Sequence, residues 1–492
     1  MAVSHTTNCA PGTRASRPDP AGALPDLEES DRDRAVSDGD GRRRIAQMIT
    51  ERPVECVVDL TDPSAQVIYN MTVEEARRRI ASGAPHAVRE IEGSFALLGT
   101  RDRTVYLARS LDRPLRYFVA KRGAGPCLVA AERIDRIAQF LHQEGLADQF
   151  HPSYTRMVPA HYVTRVHLVG CPDPAPVHER FFPAPDERQP LPPDLDEIGR
   201  RYVEAVYEAI VRWLQKRATS GPIGVCFSGG ADSGMVFLVT YYALLRLGQS
   251  PARLKAFTLA VDGGGEDLAQ ARRFLDALDL GFFLEPIAVD SQALDWRETI
   301  RILEDYKPLD IEAATFLLAL LRGIRRRYPD WRYLLDGDGG DENFRDYPIA
   351  DNPELSLRSV LTNPLLYVEG WGVEALKHSP TYSGGLSRSY VRTRAPACWL
   401  GFDSFSPHTT PKAVALAMRI PFIELTGWDE QKLYALKGDI LARGVRALTG
   451  WSMPVFAKRR FQQGAVASAQ LRRLFPEQPL LYRRTFYALY ET

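Results

Sequence analysis

Between residues 49 and 180 apolar and polar side chains alternate in short runs: "CVVDL" at 56–60, "GSFALLGTR" at 93–101, "TVYLARS" at 104–110, "RYFVA" at 116–120, "CLVAA" at 127–131 and "HYVTRVHLV" at 161–169. Alternation over four to eight residues marks a half-buried strand, and the Asp-Arg of "RDRT" falls where a tight hairpin would turn. This stretch is expected to form a small antiparallel sheet domain with one or two helices.

After residue 197 the rhythm changes. The amphipathic "EIGRRYVEAVYEAIVRWLQKR" at 197–217 is followed by "IGVCFS", a helix to Leu247, "LKAFTLAV", a helix in 266–279, "FFLEPIAV", two helical stretches to Tyr328 and "WRYLLDGDGG". Fully apolar strands separated by long helices predict an α/β fold with a doubly wound parallel sheet covered on both faces. From about 355 to 492 the signal is mostly helical, broken by Gly and Pro. No repeat at solenoid periods is visible.

Composition sets the boundaries. Residues 1–48 mix charges, Pro, Gly and Ser with few bulky apolar side chains, which predicts a disordered arm. Residues 181–196, "FFPAPDERQPLPPDLD", read as a proline-rich linker between the 49–180 and 197–492 domains. In 492 residues, 62 basic and 62 acidic side chains cancel, which argues against bulk nucleic-acid binding. Cys9, Cys56, Cys127, Cys171, Cys226 and Cys398 are scattered, without a Cys-x-x-Cys pair or ligand-spaced histidines, and read as reduced thiols. With no bilayer-length apolar stretch and no leader pattern at the start, the expectation is a cytoplasmic protein that binds no membrane.

The chemistry concentrates in two glycine clusters. "FSGGADS" at 227–233 follows a strand and opens a helix, at the carboxyl edge of the sheet where ligands of open α/β folds bind. Gly229 and Gly230 can take the positive φ that turns successive N–H groups into one anion-binding concavity, and Ser228 and Ser233 add hydroxyls. Asp232 would repel a polyphosphate there unless a cation lay between them, so the loop predicts magnesium. Magnesium takes one or two protein carboxylates, and "LLDGDGGDEN" at 334–343 supplies Asp336, Asp338, Asp341 and Glu342 beside Gly339 and Gly340 at a later strand end. The two loops are expected to be halves of one site. The P-loop, Gly-x-Gly-x-x-Gly, Gly-x-Ser-x-Gly and EF-hand patterns all fit worse.

These residues resemble the asparagine synthetase family of ATP pyrophosphatases. "FSGGADS" is similar to its Ser-Gly-Gly-x-Asp-Ser loop and "LLDGDGGDENF" to its second acidic loop. "AVALAMRIP" at 413–421 and "YALKGDILARGV…MPVFAKRRFQQG" at 434–464 resemble its carboxyl-terminal motifs. The resemblance implies a HUP-like synthetase domain that binds ATP at Ser228, Gly229, Gly230, Asp232, Ser233, Gly339 and Gly340. It implies Mg2+ on Asp232 and Asp341, and Lys458 in the catalytic lysine position. Asp338 stands where some members carry an acid that helps deprotonate the amine. The implied reaction is adenylation of a carboxylate followed by amide formation, with AMP and pyrophosphate as products.

The amino-terminal domain resembles only the second half of the family's Ntn glutaminase, and Cys9 lies in the arm instead of heading a strand. A truncated, inactive glutaminase domain is therefore expected. Nitrogen would come from ammonia, a second substrate or an amine in the same molecule, as in the β-lactam synthetases. Phe405 replaces a family arginine in the acceptor segment "DSFSPHTT", Phe282 and Phe283 replace a polar pair, and Glu312 falls near an arginine that binds pyrophosphate. Residues 371–396, with Tyr382, Arg388, Arg392 and Arg394, are a candidate substrate loop. The partners implied are a small carboxylate and an amine, with carrier-bound or peptide substrates and a homodimer left open. A non-catalytic ATP-binding scaffold and adenylation followed by sulfur transfer remain as alternatives.

Overall fold

The computed structural model describes residues 56–491 apart from 124, 169–174, 183–188, 347–348, 350–354, 364–389 and 458–467. The arm at 1–48, Cys9, Cys171, Tyr382, Arg388 and Lys458 lie outside the described residues.

The amino-terminal strands are β1 (Cys56–Asp59), the ribbon β2 (Val67–Ile68) and β3 (Gly93–Ser94), β4 (Ala96–Arg101), β5 (Thr104–Arg109), β6 (Arg116–Arg122), β7 (Gly125–Ala131), β8 (Arg156–Met157), β9 (Tyr162–His167) and β10 (Val177–Arg180). They form two four-stranded sheets in place of the single antiparallel sheet expected, in the orders β1-β7-β6-β8 and β10-β9-β5-β4. β1 runs parallel to β7, a pairing no local pattern announces. The hairpin turn after β4 is the one expected, with Asp102 at φ 55°.

Period-two alternation explains the layering. Val105 and Leu107 of β5 face Leu128 and Ala130 of β7 between the two sheets. Leu97, Tyr106 and Ala108 turn outward onto Ala76 and Ile80 of helix α1 (Val73–Ala81). On the other outer face, Cys127, Val129 and Ala131 cover Ile137 and Leu141 of α2 (Ile134–Gln143). The result is an α+β arrangement of four layers, helix–sheet–sheet–helix.

The second region is α/β. Helix α3 (Leu195–Lys216) starts at Asp194, whose carboxylate accepts the N–H groups of Asp196 and Glu197. The sheet strands β11 (Ile223–Cys226), β12 (Leu254–Val261), β13 (Leu284–Val289), β14 (Tyr333–Leu335) and β15 (Asp403–Phe405) are all parallel, in the order β13-β12-β11-β14-β15. Helices α3, α4 (Ala231–Arg246), α5 (Glu266–Asp276) and the later α8 (Glu430–Thr449) bury one face around Trp213, Phe237, Phe274 and Leu433. Between them in sequence, α6 (Trp296–Leu303) and α7 (Pro308–Arg327) cover the other face together with α9 (Pro479–Ala488). No described helix is long and apolar enough to cross a membrane.

α3 and α8 touch backbone to backbone at Gly199 and Gly444, where a methyl on Gly444 would meet Gly199 O at 2.2 Å. That contact holds α8 closely against α3.

The two regions are joined by buried polar contacts. Glu304, just past α6, accepts the N–H groups of Ile134 and Asp135 at 2.8 Å each and so caps α2 of the other region. Arg133 returns the link by donating to the Ile302 carbonyl at 2.8 Å. Arg394 donates to Ser404 O in β15 and pairs with Asp112 of the amino-terminal region at 3.1 Å.

Candidate functional site

From β11 the chain moves one way across the sheet to β12 and β13, then jumps back to place β14 on the opposite side of β11. The connections diverge there and leave a crevice at the carboxyl edge, the usual ligand position in such sheets. The loops after β11 and β14 are the two glycine clusters of the sequence. They meet closely: a methyl on Gly337 would lie 2.8 Å from Ser233 N, and one on Gly340 would lie 2.2 Å from Asp232 Oδ1. No side chain larger than hydrogen fits at either position.

The first loop turns on Gly229 alone. Its φ is 72°, and its Cα side is pressed against α5, where an added methyl would meet Ala271 N at 2.7 Å. Gly230 has φ −76° and ψ 168°, the extended backbone of a helix N-cap, so the second positive φ expected from the sequence is not needed. Its N–H donates to Ser228 Oγ at 3.3 Å, and the Ser228 N–H donates to Ser233 Oγ at 3.3 Å. The hydroxyls of Ser228 and Ser233 therefore hold the loop at the N-terminus of α4, whose positive end faces the crevice.

The acids of the two loops converge on a lysine that the sequence reading did not single out. Lys437 Nζ lies 2.6 Å from Asp232 Oδ2, 2.6 Å from Asp341 Oδ1 and 2.8 Å from Asp346 Oδ2. Burial works against its charge, but the three carboxylates more than offset that and hold its pKa well above the ordinary lysine value. The available signal was a lone cation on the buried face of α8, beside Leu436, Ile440 and Leu441.

Around this cluster opens a cavity of about 830 Å³. Ser228, Gly230, Asp232, Ser233, Asp338, Gly339 and Asp341 line it, while Gly229 and Gly340 stand behind and shape its wall. Asp267, Asp336, Glu342, Asp346 and Asp439 add to its acidity; the cations among the described lining residues are Lys437 and Arg392. Burial pushes the Asp336 carboxyl up to about 6, although it accepts the Asp338 N–H at 3.0 Å and the Ser404 hydroxyl at 3.3 Å. Burial and the neighbouring Asp336 also push the Asp338 carboxyl well above the usual aspartate value, against the opposing pull of Arg392 and Thr393.

The stretch that carries both loops, residues 205–400, matches the asparagine synthase family. This stretch is similar to an asparagine synthase domain. The match takes in both loops and strands β11 to β14, and it brings with it ATP-dependent chemistry of the amide-bond ligase type. No curated protein matches the chain.

Several residues expected at the site of this asparagine synthase-like domain lie elsewhere. Phe405 stacks on Trp213, with ring centroids 5.7 Å apart, in the hydrophobic core. Alternation along β15 turns its neighbours Ser404 and Ser406 toward Asp336 instead, so Phe405 does not occupy an acceptor pocket. Phe282 and Phe283 precede β13 and so sit at the amino edge of the sheet, the end opposite the crevice; Phe283 packs on Phe237. Glu312 accepts the Tyr482 hydroxyl at 3.4 Å, on the α9 side of α7, and does not line the cavity. Of the candidate substrate loop, Arg392 lines the cavity, whereas Arg394 serves the contact between the two regions. Lys458 is outside the described residues, but Ala457 before it lines the cavity.

Among the described residues no three Asp, Glu, His or Cys side chains converge closely enough to hold an ion by themselves. Asp232 and Asp341 do aim at one shared positive charge. Two hard carboxylates with the remaining positions left to phosphate and water match the way magnesium is held with nucleotides.

Proposed function

We propose that the protein activates a substrate carboxylate with ATP and joins it to an amine. In the first step a carboxylate oxygen bonds to the α-phosphorus, the bond from that phosphorus to the β-phosphate oxygen breaks, and pyrophosphate leaves. In the second, the amine nitrogen bonds to the acyl carbon, AMP departs with the electron pair of the acyl–oxygen bond, and the amine gives up a proton. The observation that carries this reading is the meeting of Asp232 and Asp341 around one positive charge at the mouth of a phosphate-type loop.

Each residue has a part that its position supports. The Gly229 amide, the hydroxyls of Ser228 and Ser233 and the N-terminus of α4 cradle the pyrophosphate. Asp232 and Asp341 would hold Mg2+, which would neutralise the charge that builds on the leaving pyrophosphate. Lys437 keeps the two carboxylates converged and adds positive charge beside the phosphates. Lys458, next to a lining residue, is assigned the catalytic lysine, and Asp338, whose carboxylate burial and Asp336 make more basic than usual, takes the proton that the amine gives up. The four-layer amino-terminal region acts as a support clamped on by Glu304 and Arg394, and the nitrogen comes from ammonia or another amine.

Product analysis tests the scheme. With Mg-ATP, ammonium and a panel of carboxylates, turnover should yield AMP and pyrophosphate in equal amounts; ADP and phosphate would rule the scheme out.

A further inference from the structure

The cavity is acidic, yet the proposed reaction requires a negatively charged carboxylate to enter it and stay. Lys437 is committed to three carboxylates at the phosphate loops. The other cation among the described lining residues is Arg392. It belongs to the turn of helix at Tyr390–Arg394, and its side chain is only 16% exposed. Its Nε lies 3.5 Å from Asp310 Oδ1, which ties it to the first turn of α7, and its charge also acts on Asp338.

The same first turn begins an apolar stripe. Leu309, Ala313, Leu317 and Leu320 follow at helical spacing along one face of α7, and all four line the cavity. A guanidinium at one end of an apolar wall is the receptor for an amphipathic anion: a carboxylate pairs with the guanidinium through parallel hydrogen bonds, while hydrocarbon covers the wall. A small amino diacid would leave that wall uncovered.

We infer that Arg392 binds the carboxylate of the acid substrate and that the Leu309–Leu320 face takes an apolar body, so the substrate is a carboxylic acid with a hydrocarbon chain or ring. This rests on the ligase reading above and narrows its substrate class. The position that the sequence suggested for acceptor recognition, Phe405, faces the core, which leaves Arg392 to set specificity.

The test is calorimetric titration of the full chain, with magnesium and α,β-methylene-ATP present, using acetate, hexanoate and 3-phenylpropanoate and the matching primary amides. Hexanoate and 3-phenylpropanoate should bind about tenfold or more tightly than acetate. Their amides should bind about tenfold or more weakly than the acids. Arg392→Ala should remove the preference of acid over amide, and Arg392→Lys should restore part of it. Binding of α,β-methylene-ATP should be unchanged in both variants, which reports that the fold and the phosphate loops survive. Equal binding of acids and amides, full binding to Arg392→Ala, or no binding of any panel acid overturns the inference. Failure of α,β-methylene-ATP to bind the unmodified protein overturns the inference together with the ligase reading on which it rests, whereas nucleotide binding without acid binding overturns the inference alone.

Discussion

The Lys437 ammonium lies 2.6 Å from the Asp341 carboxylate across 96 residues of chain. The contact joins α8 to the loop after β14, and Asp232 and Asp346 close around the same nitrogen. Three carboxylates brought together at low exposure repel one another unless a cation separates them.

Removing that cation should therefore expose the repulsion. Lys437→Met is expected to lower stability by about 3–5 kcal/mol in the presence of a chelator, since it leaves the buried Asp346 and the partly exposed Asp232 and Asp341 uncompensated. Magnesium should return part of the loss, so that its addition raises the melting temperature of the variant more than that of the unmodified protein. An equal rise in both would show that the acids do not share a cation site.

Gly340→Ala puts a methyl where Asp232 Oδ1 now lies, 2.2 Å from the ideal Cβ position. The carboxylate or the loop has to move, at a cost of about 1–3 kcal/mol for a tightly packed position. The proposed pyrophosphate-leaving step should suffer more, by about a hundredfold or more, because stabilising groups lose their alignment. Comparison of denaturation curves with turnover rates separates the two effects.

Glu304→Ala tests the junction between the two regions. The change uncaps α2 and leaves Arg116 and Arg133 beside a lost partner, with Glu304 only 1% exposed. A loss of about 3–5 kcal/mol is expected in chemical denaturation. Nucleotide affinity should be retained, because Glu304 does not line the cavity.

Asp112 should give a measurable pH dependence. Burial would raise its pKa, but Arg394 and the hydroxyls of Ser110 and Ser94, with Arg113, outweigh this and hold it below the usual aspartate value. A depressed folded-state pKa contributes stability above the unfolded value of about 3.9 and loses it as the pH falls through the lower folded value. The stability gap between the unmodified protein and Asp112→Asn should thus be full at pH 6 and shrink below about pH 4. A gap that widens on acidification would contradict the assignment.

Most strands were legible because their periods are clean: apolar runs for β11 to β14, alternation for β4 to β7 and β9; the two-residue β8 is too short to show a period. The two site loops were legible because glycine and aspartate cluster at strand ends, where side-chain type reports directly on backbone approach and charge. What could not be read depended on distant parts of the chain. The parallel pairing of β1 with β7 is a tertiary choice, and the outward or inward turn of Phe405 depends on the register of β15. Lys437 was legible only as part of the motif at 434–464, without a role; its place beside the acids comes from the packing of α8, which meets α3 at Gly199 and Gly444. A buried apolar face interrupted by one cation was the local clue.

Exchange of labelled pyrophosphate into ATP, with magnesium and a panel of hydrocarbon-bearing and amino-acid carboxylates, tests the adenylation claim most directly. The unmodified protein should exchange label only when a suitable acid is present, and Asp232→Ala should abolish the exchange. Label that enters ATP equally in Asp232→Ala, or that fails to enter with every acid while ATP remains bound, would contradict the account.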